Sequence, residues 1–171
     1  MELWNRQIKL ARYMLLGTVI VTVLNIVFLL ANVDMYISYC AALPYYLVLF
    51  GKFFDNGMYL GIINGEFTAT GLFMAAILLA VWMLVWWLAK RSRIWLIVGL
   101  VAVCADLLVL LGMYVVFWGG LQGCLWEALI HGAVIFEMAQ GCRAWKQKEM
   151  FLIRQSTAPM EETPQREMEP V

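Results

Sequence analysis

Four runs of about twenty apolar residues dominate this chain: 11–31, 67–89, 94–117 and 121–142. A helix needs about twenty such residues to cross roughly 30 Å of hydrocarbon. In lipid each run must satisfy its own backbone hydrogen bonds, so helices are the realistic reading. Composition supports a bilayer as solvent. Apolar residues make up 64% of the 171 and charged residues 14%, against about 45–50% and about 25% in soluble domains. So much apolar surface cannot be hidden inside one small soluble domain.

Basic residues set the expected orientation. Arg6, Lys9 and Arg12 precede the first run, Lys90, Arg91 and Arg93 separate the second from the third, and Arg143, Lys146, Lys148, Arg154 and Arg166 follow the fourth. Four crossings with both termini cytoplasmic place all of these on one side, as the positive-inside rule requires. Lys52 alone falls on the other. The first run has a basic start but is long for a cleaved signal, and it is read as a retained signal anchor.

Residues 35–54 form a further apolar stretch, rich in tyrosine and phenylalanine, with Pro44 near its middle. A fifth crossing there would turn the Lys90–Arg93 cluster outward, and proline breaks helical hydrogen bonds. Tyrosines favour the headgroup region. The expected fold is therefore an all-α, four-helix transmembrane bundle, N-in and C-in, with an extracytoplasmic re-entrant or interfacial aromatic helix. Residues 1–153 form the membrane domain. Residues 154–171, rich in proline and glutamate, read as a disordered cytoplasmic tail. Gly57, Gly61 and Gly65 recur every four residues and read as a flexible loop.

Polar residues inside apolar runs need a reason, since a central aspartate costs about 2.5–3.5 kcal/mol. Asn25, Asp106, Glu127 and His131 are the candidates. At 1.5 Å per residue, Asp106 and His131 lie about 18 and about 16 Å from the inner ends of their helices, and Asn25 about 20 Å. Glu127 and His131, four residues apart, share a face. These four residues are expected to form one intramembrane cluster, either a structural clamp or a proton- or ion-coupled site, with the clamp favoured. Glu137 faces elsewhere and receives no role.

Other chemistry finds little support. One histidine cannot make a bis-His haem site. There is no zinc-type His/Cys spacing, nucleophile elbow or phosphate loop. No cofactor or metal is expected, and with a net charge of zero no nucleic-acid partner. Cys40 and Cys124 share the outer side, the one pair placed for a disulfide, although four scattered cysteines are expected free. Trp82, Trp86, Trp87 and Trp95 read as an interfacial belt.

Three stretches carry a family resemblance: Asn25 to Pro44, Ala105-Asp106-Leu107-Leu108, and His131 through Trp145-Lys146. In these the chain resembles uncharacterised small four-span integral membrane proteins of Firmicutes-type bacteria. The resemblance implies a four-helix membrane bundle and no substrate. The expected function is that of a non-enzymatic, partner-binding or accessory subunit, with a membrane protein or a second copy as partner. The alternative is a small proton- or ion-coupled transporter or channel subunit using Asp106, Glu127 and His131.

Overall fold

A computed structural model describes residues 1–38, 40–58, 65–118 and 124–157. Among the described residues there are five α-helices and no strand. They are α1 (Glu2–Leu30), α2 (Ala42–Phe53), α3 (Glu66–Leu88), α4 (Arg93–Trp118) and α5 (Leu125–Thr157). A π-helical turn, Phe54–Met58, extends α2.

Among the described residues, three helices are long and apolar enough to cross a membrane: Glu2–Leu30, Glu66–Leu88 and Arg93–Phe117. The expected four-span bundle is thereby corrected. The reason lies in α5, at 33 residues the longest helix. Glu127, His131, Glu137 and Gln140 interrupt its first half, and charges crowd it from Arg143 onward. It is helical throughout its length, but it is not a purely apolar span.

Of the two forms expected for the aromatic segment, α2 is not the interfacial one lying over a bundle, since one face of it is packed among the other helices. Ala42, Pro44, Tyr46, Val48 and Gly51 are buried. Val48 packs with Ile26 of α1 and Ala75 of α3, and Tyr46 with Leu110 of α4. Pro44 is the third residue of α2 rather than its middle. In the first turn a missing N–H breaks no helical bond.

Close backbone approaches fix the pairings. α2 and α3 run antiparallel, with Gly51 against Phe67 and Gly71 against Leu47. A Cβ at Gly71 would overlap the Leu47 carbonyl. Similarly, Gly141 of α5 admits Ala11 of α1. Lys148 Nζ donates to Asn5 Oδ1 at 2.9 Å, so α1 and α5 are antiparallel. Ala11, Leu15, Leu96, Val103 and Met138 form the main core beside these contacts, with Trp82, Trp86, Trp95 and Trp145 packed against it. Arg12 and Arg91 lie over the rings of Trp86 and Trp87. The tryptophans thus partly line the core and partly seat the basic residues.

Helix ends are closed by side chains from other elements. α1 stops in a Schellman turn, with Asn32 left-handed at φ 54° and the Val33 N–H donating to the Phe28 carbonyl at 2.9 Å. Lys52 reaches back from α2 to donate to the Leu29 carbonyl and to Asn32 Oδ1. A cation at a helix C-terminus complements the dipole. Asp55 does the converse for α3, accepting the N–H groups of Phe67 and Thr68 at 3.2 and 2.7 Å and the Thr68 hydroxyl. Of the Gly57, Gly61 and Gly65 spacing, Gly61 lies outside the described residues, and Gly65 takes φ 81° as the N-cap of α3. Of the tail expected from residue 154, 154–157 belong to α5, and 158–171 lie outside the described residues.

Two predictions follow from this packing. Gly71→Val should destabilise the fold by about 1–3 kcal/mol through overpacking. Gly112→Val, where a Cβ meets nothing, should stay within about 0.5 kcal/mol. Tryptophan-monitored thermal unfolding in detergent separates them, and equal losses would mean that α2 and α3 are not in close contact. Secondly, the Thr68 hydroxyl and the Thr68 and Phe67 N–H groups hold the Asp55 carboxyl below the usual carboxylate range. Its contribution is therefore full above the unfolded value of about 3.9 and is lost as pH falls through the folded one. Asp55→Ala should be less stable than the parent at pH 7, with a gap that narrows only below about pH 4. A gap unchanged at acid pH would mean that Asp55 does not act as a cap.

Candidate functional site

The polar residues of the apolar helices gather around residues 36–43, the connection into α2. From α1, Thr18, Thr22 and Asn25 line one face at helical spacing and are all buried. The Thr22 hydroxyl donates to the Thr18 carbonyl at 2.6 Å and accepts the Ala41 N–H at 2.7 Å. Asn25 pairs with the backbone of Ile37 in both senses. Its Oδ1 accepts the Ile37 N–H at 2.9 Å, and its Nδ2 donates to the Ile37 carbonyl at 2.8 Å. In this non-helical segment against apolar helices, both peptide groups of Ile37 and the Ala41 N–H are thus satisfied.

From α4, Asp106 closes the N-terminus of α2. Its Oδ2 accepts the Ala42 N–H at 2.7 Å and its Oδ1 the Leu43 N–H at 3.0 Å. A helix leaves its first four N–H groups without internal partners. Here Thr22 takes Ala41, Asp106 takes Ala42 and Leu43, and Pro44 has no N–H to satisfy. The start of α2 is fully accounted for, with a carboxylate at the positive end of its dipole.

From α5 come Glu127 and His131. His131 Nδ1 lies 2.9 Å from the Glu127 carbonyl, and its Nε2 lies 3.4 Å from Asp106 Oδ2. The carbonyl can only accept, so Nδ1 carries a hydrogen. The contact on the other nitrogen is attractive only with a proton between Nε2 and Oδ2. Asp106 already accepts two amide N–H groups, and a hydrogen on His131 Nε2 would give it a third donor. Glu127 sits one turn away, its oxygens accepting the hydroxyls of Tyr114 at 3.2 Å and Tyr36 at 3.4 Å.

Of the four residues singled out in the sequence, Asp106 and His131 touch. Glu127 joins them through its own carbonyl. Asn25 bonds to Ile37 and not to the other three. All four are between 1% and 7% exposed. Thr22, Tyr36 and Tyr114 belong to the same network and were not anticipated. The Thr18, Thr22 and Asn25 spacing on α1 was a usable signal for the first. Nothing in the sequence marks the tyrosine hydroxyls. Cys40 and Cys124 are buried and are not joined in a disulfide, and the Tyr36 hydroxyl lies 3.2 Å from Cys40 Sγ. Among the described residues no group of three or more His, Cys, Asp or Glu side chains is placed to hold a metal ion.

The fold and the apolar surfaces define a helical, multi-span membrane protein. No protein family, curated protein or solved structure matches the chain. The resemblance to small four-span bacterial proteins does not hold, since three helices rather than four qualify as spans and no family supports it.

Removing one member of a buried ion pair costs about 3–5 kcal/mol. Asp106→Ala should lose about that much, and hydrogen exchange should speed up first at the amides of Ala42 and Leu43. If those two amides stay protected in a folded Asp106→Ala protein, the cap is supplied by something else.

Proposed function

We propose that this protein is a non-enzymatic membrane subunit that works by binding another helix in the bilayer, as an accessory chain of a larger assembly or as a homo-oligomer. One observation carries the reading. The buried polar groups are spent on the chain's own backbone: Asn25 on Ile37, Thr22 on Ala41, and Asp106 on Ala42 and Leu43. Such a network is a clamp that fixes one arrangement of helices, and it leaves the outer surface to do the work.

That surface has a feature suited to the task. On α4, Ile94, Val101, Leu108 and Val115 recur every seven residues and are each at least half exposed. Ala105 and Gly112 lie exposed between them. A seven-residue apolar repeat is the seam of left-handed helix pairing, and small residues let membrane helices approach closely. The chain sits in the cell membrane with its basic end, where Asn5 meets Lys148, toward the cytosol by the positive-inside bias.

The alternative is a proton-coupled transporter subunit. It is favoured by the 3.4 Å contact of His131 Nε2 with Asp106 Oδ2 and by Glu127 one turn away. Two measurements decide between the readings. Native mass spectrometry from mild detergent should show a stoichiometric second chain or copy. Gly112→Leu should release it while the separated protomer stays folded, because a side chain there meets nothing within the protomer. If Asp106→Asn stays folded and abolishes a pH-driven flux in liposomes, the partner-binding reading fails.

A further inference from the structure

At the end of the molecule away from the polar clamp, Lys9 and Arg12 of α1, Lys90 of the α3–α4 turn and Lys148 of α5 line one cavity of about 240 Å³. Its remaining walls are Asn5, Ile8 and Trp145, so no carboxylate among the described residues faces it. Glu149, on the same helix end, is paired with Arg93 at 3.9 Å. Four like charges converging from three elements repel one another, and a bound anion would reverse that cost.

Three buried donors at this end are unspent, Arg93 Nε and two that lie together. Arg12 Nε has no hydrogen-bond partner among the described residues, and neither has Trp86 Nε1. The Arg12 guanidinium carbon lies 5.7 Å from the centre of the Trp86 ring, so the two donors belong to one stacked pair. Buried donors are nearly always paired. A phosphate supplies several strong acceptor oxygens and suits a guanidinium.

A second cavity bears on which phosphate this is. One turn beyond Arg12 on α1, an apolar groove of about 410 Å³ opens between α1 and α3, lined by Leu16, Ile20 and Leu24 on one side and Leu79, Ala80 and Met83 on the other. Leu16 to Leu24 spans about 12 Å of helix. A cationic cavity above an apolar groove fits an amphiphile with an anionic head. Basic pockets between membrane helices on the cytosolic side are suited to anionic headgroups.

We propose that this end binds one anionic glycerophospholipid, its phosphate held by Arg12, Lys9, Lys90 and Lys148 and an acyl chain in the α1–α3 groove. The site needs the chain to be in a bilayer but does not depend on the partner-binding reading. It is tested on the full-length protein in detergent with three additions: phosphatidylglycerol, phosphatidylcholine, and phosphatidylcholine with inorganic phosphate. Phosphatidylglycerol should raise the unfolding temperature and survive as a single bound lipid in native mass spectrometry, with the other two additions without effect. The double substitution Arg12→Gln with Lys90→Gln should weaken retention at least tenfold. If that variant does not fold, Lys9→Gln, at an exposed position, should weaken it to a smaller extent. Equal stabilisation by phosphatidylcholine overturns the site. Inorganic phosphate matching phosphatidylglycerol overturns the lipid assignment, and undiminished retention by the folded variants overturns the cation assignment.

Discussion

The arrangement of helices depends on how the N-terminus of α2 is satisfied. A twelve-residue helix that starts among other helices has no water to receive its first N–H groups. Each one left unpaired would cost about 1–3 kcal/mol. Asp106 answers two of them at once. A buried carboxylate is itself expensive, at about 2.5–3.5 kcal/mol in a span. Hydrogen bonds to a charged group return about 1.5–3 kcal/mol each, and His131 Nε2 lies 3.4 Å from Oδ2. The aspartate and the helix end are each costly alone and tolerable together. That coupling locks α2 to α4 and, through His131, α4 to α5.

The same logic repeats at the other interrupted helix ends. Lys52, the one basic residue that the charge bias leaves on the far side, closes the C-terminus of α1. Asp55 closes the N-terminus of α3. Both lie within four residues of the end of α2 or in the turn that extends it. The segment from Ala42 to Met58 therefore works as a plug whose ends are bonded to three of the long helices. Gly51 and Gly71 let it approach α3 to backbone contact.

Hydropathy alone revealed the apolar helices and the polar residues that interrupt them. Helical rise put Asp106 and His131 at similar depth, and they lie 3.4 Å apart. What could not be read was where each polar group spends its hydrogen bonds. Periodicity assigns a side chain to a face of its own helix, but Asp106 acts on the backbone of a segment some sixty residues earlier. Pro44 misled for the same reason. Its effect depends on its place in the helix, and a helix start without a side-chain cap of its own leaves no local mark. α5 was overcounted as a span because its apolar residues were weighed without the full cost of Glu127, His131, Glu137 and Gln140.

The two ends of the molecule differ in how completely their polar groups are used. At the start of α2, Thr22, Asn25 and Asp106 are matched to the backbone of Ile37, Ala41, Ala42 and Leu43, and such a network resists rearrangement because any shift leaves a buried group unpaired. At the basic end, Arg12 and Trp86 hold donors without acceptors while four cations share a cavity. Internal packing needs no such surplus: apolar residues such as Leu96 and Met138 already fill the adjacent core. An uncompensated charge beside a finished core is better suited to receiving something from outside the chain. The matched end thus serves as the rigid frame, and the unmatched end and the outer face of α4 are where this protein meets its surroundings.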